Sequence, residues 1–455
     1  MTHVGIVGGG PSGLAVAEAL GRRGLRTTVL EADDRVGGKV GSDIQEGFVL
    51  EHGPHGFLGR VPAVFELIDR LGLTDQLIEA DESSARRYLV RAGRLVQVPE
   101  GPGDLMSSSI LSWPGKLRLM TEPLWPPEGP RDESVHDFAV RRLGPEAAEV
   151  MVDAIVTGIY GGDPSRLSLP SAFPRMHELE SEYGSLIRAQ FALAKSNRDL
   201  SPEEKRRRKS LHSFKGGLQQ LVDGLARASG PILTQHEVRR MVPTDEGWRV
   251  EGSFGQLDFD GLVLAAPAFV AGALLGPLSD QAGRAAEAVA HAPISVVMQA
   301  FPAQALRRRP EGFGFLAPHR ENRELLGCIW ASSVFPDHAP HGLVSFRTLH
   351  GGARRPELAE GSDDALIARS RGELEALAGV DPEARPILTK VVRWPRGIPQ
   401  YEQGHGERVR AMDQLERQHP GLFVVGSGFR GVALLDCLEE GERAAERISR
   451  WCSPS

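Results

Sequence analysis

Cysteine is scarce: three residues in 455 (Cys328, Cys437, Cys452), none in a CxxC spacing. Three thiols cannot pair completely, so no disulfide framework and no cysteine-built metal site is expected. Lysine is nearly as rare, with seven of the 53 basic residues (Lys39, Lys116, Lys195, Lys205, Lys209, Lys215, Lys390) and arginine supplying the rest. A net charge of −7 and a pI near 6.1 speak against a nucleic-acid partner. No basic stretch precedes the first apolar run, so no secretory leader is expected. Long hydrophobic runs are also missing. The two longest uncharged stretches, Gly261–Ser279 and Ala288–Leu306, are each broken by two prolines, whereas a membrane span needs about 20 predominantly apolar residues in one helix. The expectation is a cytoplasmic chain, with peripheral attachment to the inner face of a membrane left open.

Glycine is abundant: 53 of 455, about 12% against roughly 7% in average usage. No G-X-Y period accompanies the excess, which excludes collagen. At 41% hydrophobic and 25% charged the chain is globular. The glycines are therefore expected at turns, caps and close approaches to a ligand.

The first cluster is the most informative. Val4–Val7 is an apolar strand, Gly8-Gly9-Gly10-Pro11-Ser12-Gly13 follows, and Leu14–Leu20 has helix-forming residues. Thr27–Leu30 is a second strand ending at Glu31, 18 residues beyond Gly13. Gly8-x-Gly10-x-x-Gly13 in this βαβ context is a pyrophosphate cradle: tight turn, close backbone approach, close helix–strand packing. The helix N-terminus offers N–H groups to the anion, and Glu31 is placed to accept ribose hydroxyls, which disfavours a 2′-phosphate.

Further along, Pro62–Leu71 reads as an amphipathic helix, and Arg87–Arg91 with Arg94–Val98 as a hairpin around Ala92-Gly93. From Pro99 to about Ser210, proline breaks separate helical segments such as Glu133–Arg142, Pro145–Val156 and Glu178–Ala194. Lys205-Arg206-Arg207-Arg208-Lys209 closes this insertion and reads as a solvated loop, with anionic lipid as the alternative partner. Strand-like runs recur from Val238 to Leu349, and Glu439–Trp451 is a terminal helix.

Glu31-Ala32-x-x-Arg35-x-Gly37-Gly38-Lys39 resembles the extended signature of flavoproteins of the glutathione-reductase and amine-oxidase kind, in which the arginine and paired glycines continue the wrap around the diphosphate. Within that superfamily the chain is similar to the protoporphyrinogen and coproporphyrinogen oxidases. The resemblance lies in Glu51–Leu58, the hairpin Arg87-Tyr88…Gly93-Arg94-Leu95…Pro99, Thr157–Pro164, and Ser213–Gly217. It continues in Trp394-Pro395…Ile398-Pro399-Gln400-Tyr401 and in Gly426–Cys437, in order over essentially the full length. His55-Gly56, Ser427 and Leu435 depart from the family's common pattern.

The resemblance implies an α/β fold: a Rossmann-like FAD-binding domain (1–75, 212–275 and 398–455), a mixed-sheet substrate domain (76–98 and 276–397), and an inserted helical domain (99–211) that associates with membranes in one reading. It implies FAD contacts from Gly8, Gly9, Gly10, Pro11, Ser12, Gly13, Glu31, Ala32, Gly38, Lys39, Gly53, Pro54, His55, Gly56, Val238, Trp394, Val432, Ala433 and Leu434. The activity it implies is oxidation of a porphyrinogen, protoporphyrinogen IX or alternatively coproporphyrinogen III, with oxygen as acceptor, in haem biosynthesis. Backbone carbonyls near Gly158 would orient the pyrrole N–H groups. No dedicated acid or base is assigned, because the substrate carbon is already activated. Arg87 and Arg91 are candidates for the substrate carboxylates, and no metal is expected. Partners expected are a tetrapyrrole and oxygen, with a homodimer open. Two alternatives remain: an amine oxidase or other desaturase, disfavoured because His291–Phe301 holds no lysine and Gly426–Cys437 no tyrosine, and a flavin-bearing subunit without turnover.

Overall fold

A computed structural model describes residues 2–127, 129–196 and 201–452. Five parallel strands form the first sheet, in the order Ile232–Leu233, Arg26–Leu30 (β2), His3–Val7 (β1), Gly261–Leu264 and Leu422–Val424. Their near-continuous apolar runs are those of strands covered on both faces; Val4, Ile6, Val29, Val263 and Val424 are fully buried. Helix α1 (Pro11–Arg22) packs against the terminal helix Leu434–Cys452, where small residues meet: a Cβ on Gly441 would lie 2.5 Å from that of Ala15. A three-stranded meander, Val238–Phe259, buries Trp248 and Val250 against the sheet's other side.

The second large sheet has seven strands: Leu388–Pro399, His291–Pro302, Leu343–Gly351, Gly327–Ile329, Gly314–Leu316, Arg87–Arg91 and Arg94–Gln97. All neighbours are antiparallel except Gly314–Leu316 with Arg87–Arg91. Period-two alternation sorts its side chains onto two faces. One face meets helix Asp363–Glu373 through a polar chain in which Ser370 donates to Gln299 Oε1 at 2.8 Å and bonds Thr348 Oγ1 at 2.8 Å. The other carries Ile294, Val296, Met298, Leu316, Ile329 and Leu349, with Arg347 among them.

The described residues between Pro102 and Lys209 are mostly short helices, as the proline-punctuated sequence suggests. The insertion is fastened by a buried ion pair. Arg142 and Glu122 are both fully buried and bonded to each other. Glu122 also accepts from Ser185 Oγ (2.5 Å) and the Leu186 N–H (3.0 Å), while Arg142 donates to the carbonyls of Trp125 (2.5 Å) and Gly184 (3.0 Å). Glu180 lies 3.3 Å from Arg142 Nε as well, so the contacts tie the helices around a buried cluster of three charged groups.

Three local readings change. Lys205–Lys209 is helix, not loop: Pro202–Lys209 is started by a capping box of Ser201 and Glu204, with Arg206 paired to Glu79 and Arg207 over the Phe65 ring. Glu178–Ala194 is two helices, Pro174–Tyr183 and Leu186–Ser196, because Gly184 takes a left-handed cap at φ +66°. The terminal helix begins at Leu434, where Asp436 accepts the Ala433 N–H at 3.1 Å.

Candidate functional site

The glycine loop after β1 is closed toward the protein and open on its other side. Gly8 lies at φ +110°, and a Cβ there would be 2.8 Å from the Ala265 carbonyl oxygen. On Gly13 a Cβ would be 2.0 Å from the Gly8 oxygen, yet on Gly10 it would meet nothing within 4 Å. Gly10 caps α1 in extended conformation with Pro11 following and no side chain accepting from the first turn. The first-turn amides, those of Ser12 and Gly13 among them, and the positive dipole end therefore face open space, as an anion site requires.

Neighbouring segments complete the cradle. Glu31, buried, accepts from the Gly9 N–H (2.6 Å) and the Asp33 N–H (2.9 Å). The N–H groups of Gln235 and His236 donate to Asp33 and Glu31, which brings Val238 beside exposed Ala32 and its neighbours. The Gly37 N–H donates to Gly9 (2.8 Å), and a Cβ on Gly38 would be 3.6 Å from the Gly10 Cα, so the two glycine loops touch. Arg35 donates to the carbonyls of Val36 (3.3 Å), Gly38 (2.9 Å) and Val40 (3.3 Å). Its guanidinium clamps its own loop, a role its motif did not suggest.

Lys39 is the cation the cradle leaves uncompensated. Burial lowers its pKa to about 8, and among the described residues no carboxylate forms an ion pair with it. Its charge is felt by Cys437 and by His291, whose own pKa burial lowers to about 4. A half-buried ammonium beside an open helix N-terminus fits a diphosphate.

The segment Glu51–Gly56 runs next to it. A Cβ on Gly53 would be 2.0 Å from the Lys39 oxygen, and one on Gly56 2.7 Å from the His212 oxygen; half-buried Pro54 lies between them. Trp394 Nε1 donates to the His52 carbonyl at 2.9 Å. His55 is buried, and neither ring nitrogen finds a partner among the described residues. Burial first, then the charge of Arg347, holds its pKa well below the usual histidine range. It is therefore neutral and packs against Phe335, with ring centroids 5.4 Å apart.

The closing glycine motif returns to the same place. Tyr401 Oη donates to the Ser427 carbonyl (2.7 Å), and His405, stacked on Tyr401 with centroids 3.9 Å apart, has Nε2 at 2.9 Å from the Phe429 carbonyl oxygen. This aromatic brace carried no motif signal. Leu434 packs with Leu14 and Val40, exposed Ala433 precedes it, and Val432 packs with Val156, Tyr160 and Tyr401. That last contact brings the motif to the helix Asp153–Tyr160, which carries Gly158. A Cβ on Gly158 would be 2.8 Å from Leu316 Cδ1 on the apolar sheet face. The helix ends at Gly161 (φ +54°): the Gly161 N–H takes the Thr157 carbonyl (3.0 Å) and Gln400 takes that of Tyr160 (2.8 Å). Among the described residues no donor takes the carbonyls of Gly158 or Ile159.

A parallel nucleotide sheet, a double glycine cradle and an apolar sheet face beside it define an FAD-dependent oxidoreductase. The sequence profile of the flavin containing amine oxidoreductases matches residues 11–449. Protoporphyrinogen oxidase 2 of Arabidopsis thaliana, chloroplastic/mitochondrial, is 31% identical over 482 residues, covering 98% of this chain and 93% of that one. Coproporphyrinogen III oxidase of Propionibacterium freudenreichii is 31% identical over 484 residues, covering 98% and 90%. A crystal structure from Exiguobacterium sp. 255-15, provisionally named a protoporphyrinogen oxidase, shares the fold with a TM-score of 0.84 at 24% identity, covering 99% of each chain. The chain belongs to the flavin-containing amine oxidoreductases and, within them, to the protoporphyrinogen and coproporphyrinogen oxidase family.

Proposed function

We propose that this enzyme oxidises a porphyrinogen to the porphyrin, protoporphyrinogen IX in the first reading and coproporphyrinogen III in the second, with oxygen as final acceptor. The observation that carries the proposal is the open carboxyl end of the Gly158 helix beside an apolar sheet face and the closing glycine motif. The second reading has its own support in the equally similar coproporphyrinogen III oxidase. In this reading the cradle residues Gly8–Gly13, Glu31, Ala32, Gly38, Lys39, Gly53–Gly56, Val238, Trp394 and Val432–Leu434 hold FAD. The 99–211 insertion and the seven-stranded sheet enclose the substrate.

FAD, when bound, supplies a two-electron acceptor. What the chain itself contributes is orientation and exclusion of water. Ile294, Leu316, Ile329 and Leu349 present an apolar wall to a flat macrocycle. The carbonyls of Gly158 and Ile159, at the negative end of a helix dipole, accept hydrogen bonds from pyrrole N–H groups and stabilise the positive charge the macrocycle gains as hydride leaves its carbon. Each oxidation removes two electrons and two protons, one hydrogen from carbon and one proton from nitrogen, and oxygen leaves as hydrogen peroxide.

Of the two arginines singled out from the hairpin, Arg91 is paired with Glu146 at 2.8 Å. Arg87 is exposed, over the Phe313 ring at 5.5 Å, with no ion pair among the described residues, on the strand next to the sheet's edge. It is the candidate for a substrate carboxylate. On the insertion, Trp113, Leu117 and Leu124 are 67%, 63% and 80% exposed, and the first two with Met120 lie on one helix face. That stripe suits contact with a membrane surface. Among the described residues no helix is long and apolar enough to cross one. Flotation with liposomes tests the contact, and Leu117→Ser with Trp113→Ser should release it.

Anaerobic addition of each porphyrinogen, followed at the flavin band near about 450 nm, tests the activity. Bleaching by one and not the other chooses the substrate, and no bleaching by either rejects the proposal.

A further inference from the structure

The segment proposed to line the flavin is not part of the seven-stranded sheet beside it, yet the sheet holds it by side chains. Arg347, from the central strand Leu343–Gly351, donates through Nε to the Glu51 carbonyl (3.2 Å) and through Nη2 to the Gly53 carbonyl. Trp394, two strands away, takes the carbonyl between them. Three successive carbonyls are thus fixed by two side chains. A clamp of this kind needs only hydrogen-bond donors, but Arg347 also brings a charge into a place where charge is costly. It is 4% exposed, and burial brings its pKa down to about 10. The polar groups around it offset that charge only in part. His55 and His52 are held neutral by burial, with Arg347 adding to the shift of each. The Cys328 thiol is pushed up by burial and carries no charge. Glu51, the nearby carboxylate, is bound to the Leu218 N–H (2.8 Å) and Ser42 Oγ (2.7 Å), and burial raises its pKa to about 7.

We propose that Arg347 is a positioning residue that also acts through its charge. It fastens Glu51–Gly53 to the substrate sheet and makes bound FAD easier to reduce. A fixed cation in a water-excluded site stabilises negative charge that develops near it, without reorganisation at the moment of reaction. Reduced flavin carries such charge, and Gly53 is both the clamped residue and part of the proposed cofactor contact. The inference rests on the reading that Glu51–Gly56 lies along FAD.

The test is the midpoint potential of the FAD-loaded protein, measured spectroscopically without substrate. Arg347→Gln keeps a donor and removes the charge; its equilibrium constant for reduction should fall about tenfold, about 30 mV for a two-electron couple. Arg347→Lys keeps the charge but not the fork and should stay within about threefold of wild type. Glu51→Gln leaves the clamp intact, removes the neighbouring negative charge, and should move the potential in the opposite direction. Lys390→Gln, which removes a more exposed cation of the same sheet paired with Asp43, should leave the potential unchanged. An Arg347→Gln protein with wild-type potential overturns the inference, as does an equal shift from Lys390→Gln. Should Arg347→Gln lose FAD, an unchanged Glu51→Gln potential overturns it alone. Wild-type protein that retains no FAD through gel filtration would instead overturn the cofactor assignment beneath it.

Discussion

At Gly13 the cofactor cradle leaves 2.0 Å between a Cβ and the nearest backbone oxygen, whereas the sheet facing the Gly158 helix is filled with Ile294, Val296, Met298 and Leu349. The first region is built from backbone that must lack side chains, and it offers amides and one helix end to the cofactor proposed there. The second is built from side chains, and its polar contacts are made by groups such as Arg347 and Trp394 that reach out of the sheet. A backbone-built site tolerates almost no substitution at its glycines but asks little of residues around them. A side-chain-built site spreads its requirements over many positions, each of smaller effect.

The largest expected effect lies in the insertion that covers the side-chain region. Glu122→Ala removes the main partner of buried Arg142 and leaves it only Glu180, at 3.3 Å from Nε, so stability should fall by about 3 kcal/mol, read as a lower midpoint in denaturant unfolding. A change below about 1 kcal/mol would mean that the pair behaves like a surface one. Next comes the cradle: Gly13→Ala should weaken FAD about 100-fold, about 2.7 kcal/mol, in a protein whose circular dichroism is otherwise native. Full flavin occupancy in that variant would break the contrast drawn between the two regions. Gly158→Val drives a side chain into Leu316 and should lower kcat/KM for porphyrinogen about 30-fold, about 2 kcal/mol, with FAD content intact. Arg87→Gln should raise KM about tenfold with little change in kcat, and Arg87→Lys should recover part of it.

The smallest effect is a pH dependence in the cradle. Lys39 titrates at about 8 in the free protein, and a bound diphosphate raises that value. A group whose pKa is raised in the bound state helps binding fully below its free value and loses that help as pH rises. FAD affinity should therefore drop about threefold between about pH 7.5 and 8.5, a slope that Lys39→Met abolishes. Calorimetric titration across that range decides it.

The hairpin at Ala92-Gly93 is legible in the sequence because both residues take positive φ, +50° and +71°, as a tight two-residue turn requires. The β1–α1–β2 cradle is legible for a related reason: glycine spacing and a terminal acid record local geometry directly. Lys205–Lys209 is not, because its charge suggests solvent while its helix start lies upstream, in Ser201 and Glu204. Arg35 belongs by its motif to the diphosphate wrap, and that its guanidinium also closes its own loop was not legible.

By itself the sequence determined the nucleotide-binding βαβ unit, the FAD signature and the family, since these reside in short-range spacing that a chain states locally. Only the tertiary structure decided that Val432 packs against the helix carrying Gly158, that Trp394 bonds the His52 carbonyl, that Arg91 is paired with Glu146 while Arg87 has no ion pair among the described residues, and that Arg347 holds Glu51 and Gly53. Those pairings join positions up to hundreds of residues apart. They depend on strand register and helix docking, which no local pattern encodes.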